Sequence, residues 1–198
     1  MITYQVKPGD TLSKILSSNP LWKNLTYEEV MLLNPEIKDP NLIKVNQVIK
    51  LPSDYQTLKA AKKVMRESFE RDLAELDQQR RWAKETIDSS VHMLESFPPK
   101  SKFGEIEIIP KAHLENKRIV QETLPRIQKF SDNIDRIYPF FESSYTPKKA
   151  LKLRNIVSEN FDFIQTYLKR TKLPEPRIMI VPEVPKPMDW KNRFSNLL

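Results

Sequence analysis

Residues 6–15 read Val-Lys-Pro-Gly-Asp-Thr-Leu-Ser-Lys-Ile and contain Gly9, one of only two glycines in 198 residues. Lys7-Pro8-Gly9-Asp10 turns the chain, because glycine accepts the positive φ of a tight reversal. Ahead of the turn, residues 2–6 alternate with the period of a short strand, with Tyr4 and Val6 on one face. Behind it, Asp10 is placed to N-cap a helix whose apolar face is Leu12, Ile15 and Leu16 and which Asn19-Pro20 ends. A second helix starts at Thr26, since Thr26-Tyr27-Glu28-Glu29 has the spacing of a capping box. Val30, Leu32 and Leu33 supply its buried face, and Asn34-Pro35 stops it. Residues 42–51 return as a strand broken by a turn at Asn46, a residue type that tolerates left-handed backbone angles. The order is strand, helix, helix, strand, closed by Pro52.

Tyr4-x-Val6-x-x-Gly9-Asp10-Thr11-Leu12-x-x-Ile15, then Leu33-Asn34-Pro35, then Asn41-Leu42-Ile43-x-x-Asn46-Gln47-x-Ile49-x-Leu51-Pro52, resembles a LysM module. The resemblance covers residues 2–52, about a quarter of the chain. It implies a βααβ fold, both helices on one side of a two-stranded sheet, and a shallow groove for N-acetylglucosamine polymers such as peptidoglycan or chitin. By that resemblance Gly9, Asp10, Thr11 and Leu12 form one wall of the groove, and Asn34, Pro35, Ile37 and Ile43 the other. Apolar contact with sugar faces and backbone partners for acetamido groups suit such a ligand. The sequence departs from the family at Asn46, where glycine is usual, and at Leu16, where alanine is common. An architectural reading stands beside the binding one: Gly9 for the turn, Asp10 for the cap, Ile43 for the core. Trp22, between the two helices, is assigned to their cover.

The rest of the chain resembles no family in its motifs, and its organisation predicts mostly helix. Residues 53–97 form a long amphipathic helix, with Leu58, Met65, Phe69, Leu76, Ala83 and Leu94 among the residues of one stripe and mixed charge opposite. Residues 98–172 form a helical region: a break over 97–111 followed within it by a short strand, a helix from about His113 to Ile137 that Pro125 kinks or splits, and a helix opened by Thr146-Pro147. With the long helix these make a small antiparallel bundle. Residues 173–198 are an extended proline-rich arm with a short apolar anchor, Trp190, Phe194, Leu197 and Leu198. The expected class is therefore α+β for the first quarter and mostly α thereafter.

Composition narrows the function. The chain has no cysteine, which excludes thiolate chemistry and thiolate metal sites. His92 and His113 are the whole histidine complement, too few for a zinc hydrolase without a His-Glu-x-x-His motif. Two glycines against 16 prolines give little sign of a glycosidase cleft. The expectation is a protein with no catalytic residues, no metal and no cofactor. There is no apolar run long enough for a membrane span and no secretory signal. The net charge of +7 lies in the second half, because residues 1–52, 53–97 and 98–198 carry +1, −1 and +7. Its densest cluster, residues 147–154, lacks the interleaved aromatics that read bases, which argues against nucleic acid. Lys148 and Lys149 at a helix start oppose the helix dipole by ~0.3–1 kcal/mol each, which suits a partner, an acidic protein surface or a wall polymer alike, beside the plainer reading of a solvated basic face.

These features together predict a structural component of a phage tail, baseplate or related contractile injection machine. It would assemble in the host cytoplasm, in several copies, against neighbouring subunits. The LysM groove would hold peptidoglycan or, equally, a neighbouring protein. The alternative is a freestanding wall-binding protein.

Overall fold

A computed structural model describes residues 1–96, 101–103, 106–108 and 111–171. The elements are β1 (Ile2–Gln5), α1 (Leu12–Ser17), a single 3-10 turn (Trp22–Asn24), α2 (Tyr27–Leu33), β2 (Val48–Leu51), α3 (Tyr55–Glu95), β3 (Ser101–Phe103), β4 (Ile106–Ile108), α4 (Lys111–Glu142) and α5 (Pro147–Thr171). The expected α+β start and helical remainder are both present. The proline-rich arm expected over 173–198 lies outside the described residues. Two compact units share the described residues: 1–73 with 144–156, and 74–143 with 157–171. Helices α3 and α5 therefore contribute to both.

In the first unit, β1 and β2 pair antiparallel with Ile2 opposite Leu51 and Tyr4 opposite Ile49. Ile49 and Leu51 face a core with Val6, Leu12, Ile15, Leu16, Trp22, Leu25 and Val30. Trp22 covers the core as expected, its indole N–H donating to the Pro52 carbonyl at 2.9 Å and its ring edge-on to Tyr4. The capping box at Thr26 and Glu29 forms in both directions. Asn46 takes the left-handed conformation at φ 68°. The returning strand is shorter than residues 42–51 suggested. Lys44 donates to the Gln47 side chain and accepts from the Gln47 backbone, so residues before Val48 are spent on turns.

The core does not stop at Pro52. Leu58 of α3 is buried in it and Leu151 of α5 packs against it. Every residue from Glu29 to Asn34 is buried, so α2 beyond its first two residues is enclosed on all sides. Lys62 of α3 closes on the buried Glu29 at 3.3 Å and donates to the Asn24 carbonyl at 3.0 Å.

The second unit is built on α3, α4 and α5, with the β3–β4 hairpin paired Ser101 to Ile108. Trp82 meets Phe130 and Tyr167 edge-on, and Phe130 stacks on Phe163 at 4.6 Å. Gln79 donates to the Val157 carbonyl and accepts from Asn160, while Arg80 and Lys84 converge on Asp135. Contacts of α3 with α5 advance together along both helices, whereas those with α4 run in opposite directions. The bundle is up-down-up, so consecutive helices are antiparallel. Pro125 does not split α4, which runs from Lys111 to Glu142 through Pro125 and Pro139. Both prolines and Gln121 are exposed and Asp135 is half-buried.

Asp54 starts α3. Its carboxylate accepts from the Thr57 backbone N–H at 2.8 Å, the Ser53 hydroxyl at 2.7 Å and the Thr57 hydroxyl at 2.9 Å, which hold its pKa down to about 2. A depressed carboxylate contributes stability above its unfolded value, here near 3.8, and loses it as pH falls through about 2. Asp54→Ala should therefore lower the melting temperature near neutrality, with the gap to the native chain closing between those two pH values. A gap unchanged by pH in a melting series would show that the cap is not electrostatic.

Candidate functional site

The β1–α1 loop is fixed by its own residues. Gly9 has φ 82°, and a side chain there would meet no atom within 4 Å, so the backbone conformation alone calls for glycine. The Asp10 carboxylate accepts from the Lys7 backbone N–H at 2.9 Å and from the Tyr4 hydroxyl at 2.8 Å. These two bonds, the backbone one foremost, hold the Asp10 pKa below the usual carboxylate range, and the second raises Tyr4. Asp10 is therefore not the helix cap that its position suggests. Thr11 is, its hydroxyl accepting from the Lys14 N–H at 3.2 Å. The Lys14 ammonium reaches back to the Gly9 carbonyl at 3.0 Å and latches the loop to α1.

Asn34 organises the second loop. Its side-chain amide donates to the Val30 carbonyl at 2.8 Å and the Lys50 carbonyl at 3.0 Å, and its oxygen accepts from the Lys50 N–H at 2.7 Å. The Asn34 carbonyl then accepts from the Ile37 N–H, turning the chain at Pro35. Further along, Asp39 accepts from the Asn41 backbone and side chain at 2.8 and 3.1 Å. The Asn46 N–H donates to the Val6 carbonyl at 2.8 Å, tying this loop to the end of β1.

The eight residues proposed for the groove divide by exposure. Gly9 and Thr11 are exposed, Asp10, Pro35 and Ile43 half-buried, and Leu12, Asn34 and Ile37 buried. Ile43, Leu12 and Ile37 pack into one core, which brings the two loops onto a common base. The buried three set the position of the loops, and the other five offer surface. Sequence reasoning did not single out Lys14 or the Tyr4 hydroxyl. The signal for Lys14 was its place one helical turn after the glycine; Tyr4 reaches Asp10 only because β1 ends where it does. The Asp10 carboxylate, ionised and doubly bonded, is suited to accept from a ligand hydroxyl or amide and unsuited to donate a proton.

Residues 4–52 match the model of the LysM domain family. Over 49 residues, 25% of this chain, the sequence is 53% identical to an endolysin of Bacillus phage PZA. That alignment spans 17% of the endolysin, so the chain covers well under a fifth of this relative's length. No solved structure matches the chain.

The two loop-setting residues should fail differently. Gly9→Ala meets no clash and should cost about 1–2 kcal/mol through backbone strain alone. Asn34→Ala leaves both Lys50 backbone groups without a partner and should cost about 2–4 kcal/mol. Urea unfolding of the full chain at neutral pH measures both, and equal losses would contradict the assignment of Asn34 as a clamp.

Proposed function

We propose that the LysM domain at residues 4–52 binds the N-acetylglucosamine-containing glycan of peptidoglycan. We propose further that the chain is a non-enzymatic structural protein of a phage particle, seated in its tail or baseplate against neighbouring subunits. The observation that carries the first part is a preorganised pair of loops. Gly9, Asp10 and Thr11 on one side and Pro35 and Ile43 on the other are held by hydrogen bonds internal to the domain, so a ligand meets them without further ordering. The identity to a segment of a phage endolysin supports wall glycan as the ligand and a phage as the setting.

Binding without hydrolysis is supported by the state of Asp10. A glycosidase needs one carboxyl with a raised pKa to protonate the leaving oxygen, and the carboxylate at this site is lowered. No helix among the described residues is long and apolar enough to cross a membrane. Docking through the helices is supported by exposed apolar side chains on them, Leu114 and Phe140 among them.

The full chain should sediment with insoluble peptidoglycan and release no soluble sugar from it. Thr11→Asn, which keeps a capping oxygen, and Ile43→Asp should each reduce retention by about tenfold, or roughly 1.4 kcal/mol. Absence of retention by the native chain would turn the groove into a protein-docking element, and release of sugar would overturn the non-enzymatic reading. Proteomic analysis of purified particles of the encoding phage tests the structural role.

A further inference from the structure

A concavity on the same domain borders α1 just after the loop at Gly9–Thr11. It is open, holds about 420 Å³, and is bounded by α1, the 3-10 turn and the start of α2. Leu16 and Leu25 form its floor; Ser13, Ser17, Lys23, Tyr27 and Glu28 form its rim. Tyr27 is 44% exposed, an aromatic ring kept at the surface rather than folded into the core. Lys23 is exposed and Glu28 half-buried, and neither has an ion-pair partner among the described residues. One cation, one anion and an aromatic face therefore border a single depression.

Its position relates it to the loops. Thr11, at the exposed edge of the glycan site, caps α1, and Ser13 on the rim is two residues further along, about 3 Å down the helix axis. A ligand that extends from Thr11 along the Ser13 and Ser17 face of α1 enters this depression. Peptidoglycan carries such an extension: from alternate sugars a short peptide branches off, bearing free carboxylates and, before cross-linking, an amine. An N-acetylglucosamine polymer has no charge to offer Lys23 and Glu28, whereas this branch offers both signs.

We infer that the concavity between α1 and α2 is a subsite for the zwitterionic stem peptide of peptidoglycan, read together with the glycan on the adjacent loops. Lys23 takes a peptide carboxylate, Glu28 the amine, and the Tyr27 ring packs on the aliphatic carbons between them. The inference rests on the glycan-binding reading and adds a preference to it. The LysM domain distinguishes peptide-bearing wall from bare N-acetylglucosamine polymer.

The test compares two soluble probes by calorimetric titration of the full chain: peptidoglycan fragments with their stem peptides, and uncharged N-acetylglucosamine oligomers of the same sugar length. Peptide-bearing fragments should bind about fivefold more tightly, the scale of two exposed charge pairs and a ring contact. Lys23→Glu and Tyr27→Ala should each bring that affinity down toward the bare-glycan value while leaving bare-glycan binding unchanged, which also certifies that the variants are folded. Equal or weaker binding of the peptide-bearing probe, or variants that keep the preference, would overturn the subsite and leave glycan binding standing. If neither probe binds, both readings fall.

Discussion

One side-chain amide holds the LysM domain together. Asn34 is fully buried, and its carboxamide meets the N–H and C=O of Lys50 as the backbone of a third strand would. The same nitrogen donates to the Val30 carbonyl, as does the Asn34 backbone N–H, so the residue ends α2 as well. A two-stranded sheet of four-residue strands is marginal by itself, and its outer edge would need water or another strand. Asn34 supplies that edge from within the turn that follows the helix. No other residue type presents a donor and an acceptor at this length in a neutral group, and water cannot replace it at a buried position.

The enclosure of α2 follows from that clamp. With the sheet fixed to one flank of α2, the other flank is left with Met31 and Leu32, which are buried because the first turns of α3 and α5 cover the domain. The Arg154 guanidinium of α5 lies 3.5 Å from the Met31 and Leu32 carbonyls, where a cation complements the end of a helix dipole. Burial lowers its pKa, yet a guanidinium starts so high that it stays charged. At the other end of α2, Lys62 of α3 neutralises the buried Glu29. Both ends of one short helix are thus gripped by the helical part of the chain. The exposed loops at Gly9–Thr11 and Pro35–Ile43 are mounted on helices rather than on a free linker.

Much of the domain was legible because its signals are local. The capping box at Thr26, the left-handed turn at Asn46 and the Thr146-Pro147 start each depend on residues within a few positions. The signals misled where a partner lay far off in sequence. Asp10 and Thr11 are both good caps; the Tyr4 hydroxyl, six residues back, takes the carboxylate and leaves the cap to Thr11. Asn34 has the chemistry of a groove residue, and only its bonds to Lys50, 16 residues on, show that it faces inward. Pro125 offered a kink or a split, and only the structure shows that α4 continues through it, with the proline on the exposed side of the helix. Of the candidate site, the two loops were legible as turns and the exposure of each residue was not, since exposure is set by packing across the whole unit.

The rigid mounting bears on how so small a site could be useful. Five accessible residues in shallow loops bury little of a sugar strand, and a single contact of that size is weak once lost ligand freedom is counted. Weakness is no handicap where several copies face one wall, because each contact after the first is made at high effective concentration, provided that geometry lets the sites engage together. A floppy tether would spread that concentration over a large volume. Leu58 and Lys62 of α3 and Leu151 and Arg154 of α5 instead hold the domain on their own turns, so under the proposed glycan binding each site would be held firmly rather than loosely.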